Sequence, residues 1–221
     1  MMKYKYVFFD FNGTLLDDTD LCFNIENELL EKCGHKKISK EFYLDHFSFP
    51  IENYYKIIGF TFKEIDYPSI CTYFMNEYNR REKTESALFP GILEMLKEIR
   101  KLGYKTFVYS ATENKMLEAQ LKYYGILNNI DGYIGTSDIS GISKLDYGRM
   151  FIEKNKIDPS ECIMLGDTLH DYEVSTKLGF TPVLFSGGHN SLNLLNEVDS
   201  KKVSSHKEFL DMLKTPTFGE K

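Results

Sequence analysis

The sequence holds no C-x-x-C pair, no apolar run long enough to cross a bilayer and no surplus of basic charge. The four cysteines, Cys22, Cys33, Cys71 and Cys162, match no zinc-ligand spacing and read as buried apolar thiols of a reducing compartment. Asp10, Asn12 and Gly13 arrive before any signal-length apolar stretch develops, so neither a secretory leader nor a membrane span is expected and a cytoplasmic location is. With 27 basic against 33 acidic residues the net charge is −6. That balance argues against non-specific nucleic-acid binding, yet leaves room for a local anion site made from single lysines or helix ends. Internal repeats are absent too. What is present is an ordinary globular composition over 221 residues, enough for one large domain, or a core with an insert, to fold without staples.

The rhythm of the chain changes twice. Tyr6-Val7-Phe8-Phe9 is a short apolar run ending at Asp10 and the turn residues Asn12-Gly13, the pattern of a buried strand that delivers polar groups at its carboxyl end. From Asp17 onward the period is helical: Leu21, Ile25, Leu29 and Cys33 recur every fourth residue and Gly34 stops the run. Further helices are expected over 39–47, 53–58 and 67–81. After Phe89 strands return. Pro90 and Gly103 bracket a helix with Ile92, Leu96 and Ile99 on one face. Strands are expected at 106–109, 132–134, 162–165 and 182–185, with helices between them at 116–124, 145–155 and 171–178. This alternation predicts an α/β core, a Rossmann-like parallel sheet with helices on both faces, interrupted by an all-helical insert. The expected division is a core of residues 1–16 and 86–221 and an insert of 17–85.

Ligands of open α/β sheets bind at the carboxyl ends of the strands. Asp10, Ser110 and Asp167 stand at three such ends, and Asp171 follows on the next helix. Carboxylates brought to one crevice repel each other and raise a pKa unless a cation lies between them. Hard oxygen ligands with room for water suit Mg²⁺. Lys144, after the turn-like Ser140-Gly141-Ile142-Ser143, can join Ser110 in holding the oxygens of a phosphoryl group.

The set Asp10-Phe11-Asn12-Gly13-Thr14-Leu15, then Ser110, Lys144 and Gly166-Asp167-Thr168-Leu169-His170-Asp171 resembles the haloacid dehalogenase superfamily, and within it the phosphoglycolate-phosphatase-like branch with a helical cap. The resemblance implies a Mg²⁺-dependent phosphoric monoester hydrolase acting on a small, phosphoglycolate-like phosphorylated metabolite, monomeric or dimeric, with no nucleic-acid or membrane partner. It implies that Asp10 is a nucleophile that becomes a phosphoaspartate. Metal ligands would be Asp10, Asp167, Asp171 and the backbone carbonyl of Asn12. Gly13, Thr14, Ser110, Ala111 and Lys144 would hold the phosphoryl group, whose transfer needs mostly positioning and charge stabilisation.

One position departs from the family. Its phosphatases carry a second aspartate two residues after the nucleophile, a proton donor to the leaving oxygen; here Asn12 stands there, and an amide cannot shuttle a proton. General acid–base help contributes ~10²–10⁴ in rate. Four explanations are open: substrates with good leaving groups, a different proton carrier such as His170, a substitution that traps an intermediate, or a non-catalytic phosphate-binding module. Among other activities of the family, halide displacement has no use for the metal carboxylates. A phosphonate hydrolase needs a cap lysine, and neither Lys56 nor Lys63 is marked out. A mutase is disfavoured by the missing aspartate. Candidate cap contacts to substrate are His46, Ser48, Phe49 and Arg80 or Arg81, and the Gly187-Gly188-His189 turn is expected to be a plain turn near the crevice.

Overall fold

The computed structural model describes residues 4–136 and 143–215; the turn expected at Ser140-Gly141-Ile142 lies outside them. The chain opens with β1 (Tyr6–Phe9) and a short β2 (Leu16–Asp17), then runs through α1 (Thr19–Lys32), α2 (Lys40–His46), α3 (Ile51–Ile57) and α4 (Tyr67–Glu85). It returns through β3 (Ala87–Leu88) and continues as α5 (Ile92–Lys101), β4 (Lys105–Glu113), α6 (Asn114–Tyr123), β5 (Gly132–Thr136), α7 (Lys144–Asn155), β6 (Cys162–Gly166) and α8 (Leu169–Leu178). The last elements are β7 (Thr181–Phe185), α9 (Leu192–Leu195), β8 (Lys201–Val203) and α10 (His206–Lys214).

Six strands form one sheet in the order β5-β4-β1-β6-β7-β8, every neighbouring pair parallel. This is the Rossmann-like core expected from the alternation. β1 lies at its centre, flanked by β4 and β6, and its residues are apolar on both faces because both faces are covered. The chain runs from β1 outward to β4 and β5, then crosses back to β6 on the other side of β1. The strand order therefore reverses beside β1, and a crevice opens at its carboxyl end.

Two apolar cores sandwich the sheet. On one side Ile92, Met95, Leu96 and Ile99 of α5 meet Val7, Phe9 and Leu165; the α5 stripe has the spacing that places one helical face on a sheet. On the other, Phe8 stacks between Phe107 and Phe180 at centroid distances of 5.2 and 4.7 Å. Offset stacking of this kind adds roughly 0.5–1.5 kcal/mol per pair beyond burial.

Helices α1 to α4 gather around a third core of their own, with Leu21, Ile25 and Leu30 of α1 against Tyr43, Tyr54, Ile70 and Tyr78. They leave and rejoin the sheet through β2 and β3, which pair antiparallel. Such a two-strand ribbon fixes the entry and exit of the helical segment beside Asp10. Several element limits differ from the sequence reading. β4 runs on to Glu113, so Ser110 lies inside the strand rather than past its end. Helix α8 starts at Leu169, not at Asp171. β2, β3, β8, α9 and α10 are additions to the elements expected from the sequence.

Candidate active site

Asp10 is the first residue past β1, and its backbone N–H still donates to Leu165 O of β6 at 2.9 Å. The chain then folds back sharply, with the amides of Leu15 and Leu16 both donating to the Phe11 carbonyl at 2.9 Å. Gly13 takes φ +70°, and a Cβ there would lie 2.3 Å from Asp167 Oδ2 and 2.4 Å from the His189 ring. Only glycine fits this turn. Asp167 ends its own strand in the same way. Its Oδ1 accepts from the Thr14 hydroxyl at 2.7 Å and its Oδ2 from the His189 backbone N–H at 2.7 Å.

Asp171 faces the same space from the first turn of α8. One of its oxygens completes a capping box with Thr168, accepting from the Thr168 backbone N–H at 3.1 Å, and also accepts from the Thr168 hydroxyl at 2.7 Å. The other accepts from Lys144 Nζ at 2.8 Å, and the same ammonium donates to Asp10 Oδ1 at 2.6 Å. Lys144 opens α7 behind a second capping box, Ser143 with Asp146, and its carbonyl accepts from the Tyr109 hydroxyl. Both helices are thus started at fixed points by local sequence, and each start delivers one charged group to the crevice.

Asp10, Asp167 and Asp171 have carboxylate oxygens within 4.8 Å of one another, all buried. Three carboxylates share the crevice with a single buried ammonium, which bonds two of them. Burial alone would lower the Lys144 pKa, but the two carboxylates on it outweigh burial and drive it up. Burial raises the Asp171 carboxyl, and Lys144 overrides that and holds it low. Asp10 and Asp167 go the other way. Burial pushes Asp10 well above the usual carboxylate range despite Lys144, and burial lifts Asp167 to about 6. A cluster with this excess of negative charge, all-oxygen donors and spare lone pairs fits a hard divalent cation. Asp10, Asp167 and Asp171 are the residues that would hold it.

The haloacid dehalogenase-like hydrolase family model matches residues 7–185. The chain belongs to this family. Among solved structures, a haloacid dehalogenase-like hydrolase from Streptococcus pneumoniae aligns with TM-score 0.79 at 20% identity, covering 96% of this chain and 99% of its own. Protein tyrosine kinase A (PtkA) of Mycobacterium tuberculosis aligns with TM-score 0.80 at 18% identity, over 97% of this chain and 100% of its own. A phosphoglycolate phosphatase from Caulobacter vibrioides is 27% identical over 124 residues, 55% of this chain and 52% of that protein. The chain thus spans about half the length of the curated relatives it matches.

In this haloacid dehalogenase-like hydrolase the other expected site residues fall in several places. The Ser110 hydroxyl is buried beside the crevice and bonds Thr112 at 3.1 Å. Ala111 is exposed, and its carbonyl accepts from Thr136. His170 is half-buried and stacks on Phe49 with centroids 4.5 Å apart; burial lowers its pKa. Arg81 is spent on Glu28 and Glu85, Arg80 on Glu77, and Lys56 on Glu52. His46 stacks on Phe42 within α2.

The sequence reading missed a second buried group that adjoins the first. Asn12 is half-buried, and its side-chain NH₂ donates to Asp18 Oδ2 and to the Tyr78 hydroxyl, each at 2.7 Å, while its carbonyl accepts from Thr112 at 3.0 Å. Asp18 also accepts from the Gly13 N–H at 2.9 Å and faces His189 Nε2 at 3.3 Å. His189 Nδ1 is 2.7 Å from the Tyr43 hydroxyl. Burial would lower the His189 pKa, but the bond to and charge of Asp18 raise it to about 9; His189 in turn outweighs burial in keeping Asp18 low. His189, expected in a plain turn, is therefore a buried junction. Two signals pointed to this group: the extra acid in Asp17-Asp18 directly after the first motif, and a histidine after paired glycines at the end of a core strand.

Proposed function

We propose that this chain is a Mg²⁺-dependent phosphatase that hydrolyses a small phosphorylated metabolite by way of a phosphoaspartate on Asp10. The observation that carries the reading is the buried ammonium of Lys144 held between Asp10 and Asp171, with Asp167 beside them, at the strand-order reversal. A phosphate ester entering here meets a nucleophile, a fixed cation and metal-ligating carboxylates together. Asp10, Asp167, Asp171 and the backbone carbonyl of Asn12 would hold Mg²⁺, which when bound offsets the repulsion between the Asp10 carboxylate and the phosphate.

Asp10 attacks phosphorus in line with the leaving oxygen. Lys144 and Ser110 hold the non-bridging oxygens, with the backbone of the Gly13-Thr14 turn and of Ala111 completing the cradle. Lys144 keeps its proton throughout and acts as a fixed charge. Water then attacks phosphorus as the bond to Asp10 breaks, so that Asp10 returns as a carboxylate, inorganic phosphate leaves and the proton of the water passes to solvent. Residues 17–85 serve as a cap that excludes bulk water and selects the substrate. Contacts that support this role run to the helical segment from the loop after β7, where Asn190 donates to Phe47 O at 2.8 Å and the Ser191 N–H to Leu44 O at 2.9 Å, and from the start of α8, where His170 lies on Phe49. The free cysteines support a cytoplasmic setting, and the buried carboxylate cluster a small-molecule partner.

The test is phosphate release from a panel of alkyl and aryl phosphate monoesters, with and without Mg²⁺, beside Asp10→Ala. Magnesium-dependent release that disappears in the variant is the expected result. Release that survives in Asp10→Ala, or none from any ester, contradicts the reading.

A further inference from the structure

The amide of Asn12 is built into its surroundings. Its two N–H bonds are both committed, one to a carboxylate with no proton of its own, so the Asp18 contact at 2.7 Å fixes which end of the amide is nitrogen. The Tyr78 hydroxyl donates to the same Asp18 oxygen at 2.6 Å, closing a three-membered ring of contacts, and Thr112 holds the carbonyl end. An aspartate at position 12 would press its carboxylate against that of Asp18, which is only 1% exposed. Like charges in contact out of water repel each other strongly unless one is protonated. The carboxylate of this corner stands on Asp18, and residue 12 carries the neutral partner.

We propose that the Asn12–Asp18 pair leaves residue 12 with no proton to give or take, so that this enzyme accepts phosphoryl groups from aryl and acyl phosphates and retains them on Asp10 after the first product has left. The proposal rests on the phosphatase reading above and narrows its substrate class. In the first step a bond forms between Asp10 Oδ and phosphorus while the bond from phosphorus to the leaving oxygen breaks. That oxygen keeps the electron pair and departs as a phenolate or carboxylate, anions stable enough to need no proton at the moment of departure. An alkoxide is not, so alkyl esters are poor donors. In the second step a bond forms between the water oxygen and phosphorus while the bond from phosphorus to Asp10 Oδ breaks; Asp10 keeps the electron pair as a carboxylate, inorganic phosphate leaves, and the proton lost by the attacking water passes to solvent. With an amide at position 12 this step is slowed by the ~10²–10⁴ that a positioned base contributes, and the phosphoaspartate accumulates.

The experiment mixes the full chain and Mg²⁺ with p-nitrophenyl phosphate or acetyl phosphate, quenches in acid, and reads nitrophenol release and intact protein mass. One rapid equivalent of nitrophenol is expected, followed by slow turnover, with the mass of one HPO₃ added and located on the Asp10 peptide. Glycerol phosphate should add no mass. The exchanged pair Asn12→Asp with Asp18→Asn keeps a hydrogen bond between the two positions and returns the acid to position 12, with the Tyr78 hydroxyl free to turn. It should lose the burst and release phosphate ~10²–10⁴ faster in the second step. Asp10-dependent turnover with neither burst nor added mass overturns the proposal and leaves the phosphatase reading standing. Equal labelling by glycerol phosphate overturns the substrate class, and a phosphoenzyme that persists unchanged in a folded exchange variant overturns the role of Asn12. No product and no added mass with any donor overturns both readings.

Discussion

Gly13 shows how much one side chain decides. A methyl group there would sit inside contact distance of Asp167 and His189, on a backbone at positive φ, so Gly13→Ala should displace the Asp167 carboxylate. The expected outcome is loss of Mg²⁺ affinity and turnover with the circular dichroism of the fold retained; unchanged Mg²⁺ binding by calorimetry contradicts it. Lys144 is the second such residue. Lys144→Met removes the cation shared by Asp10 and Asp171 and leaves buried carboxylates without compensation, a change that costs about 3–5 kcal/mol in comparable pairs. A chemical-denaturation midpoint in metal-free buffer should fall accordingly, and added Mg²⁺ should recover part of the loss. Asp10, Lys144, Asp167 and Asp171 were legible as candidates because each sits in a short local pattern, a strand end or a helix start. Asp18, Tyr78, Thr112 and His189 were not, because they converge from four separate stretches of chain, and the local signals at Asp18 and His189 do not say that the two meet.

The same contrast holds for helices and strands. α1 and α5 were legible because their buried residues keep a regular helical period. α7 and α8 begin slightly earlier than expected because Ser143 and Thr168 cap them through Asp146 and Asp171; those acids look like ordinary first-turn residues in sequence. β2 and β3 are two residues long, too short for any periodicity to register. Packing among the inserted helices also places an acid where sequence suggests none is buried. Glu26 of α1 accepts from the Tyr54 hydroxyl of α3 at 2.6 Å, and burial lifts its pKa from 4.5 to about 8. A raised folded-state value means that the unfolded chain releases this proton first. Stability from Glu26 is therefore full below 4.5 and declines as pH rises toward about 8. Glu26→Gln should flatten that part of the melting-temperature profile, and an unaltered slope between those limits contradicts the assignment.

Sheet and helical segment meet through one buried polar strand of contacts: Asp167 to the His189 backbone, the His189 ring to Asp18 and Tyr43, and Asp18 to Asn12 and Tyr78. Tyr43 and Tyr78 belong to α2 and α4, so the carboxylate cluster and the helical segment are held in one network. Its charge state has a sign that can be worked out. The folded His189 pKa, about 9, exceeds the ordinary 6.5, so the stabilisation is complete below 6.5 and is lost as pH rises through about 9. In metal-free buffer the melting temperature should fall across that window, and His189→Gln should reduce the fall; a variant that parallels the parent throughout contradicts it.

If, as proposed, Asp10 takes the phosphoryl group and Mg²⁺ fills the carboxylate cluster, p-nitrophenyl phosphate cleavage followed against Mg²⁺ concentration in the parent chain and in Asp10→Asn decides the matter. Saturable activation by Mg²⁺ in the parent and none in the variant, with the variant's fold intact, is the expected result. Cleavage that persists in Asp10→Asn, or that does not respond to Mg²⁺ in the parent, would contradict it.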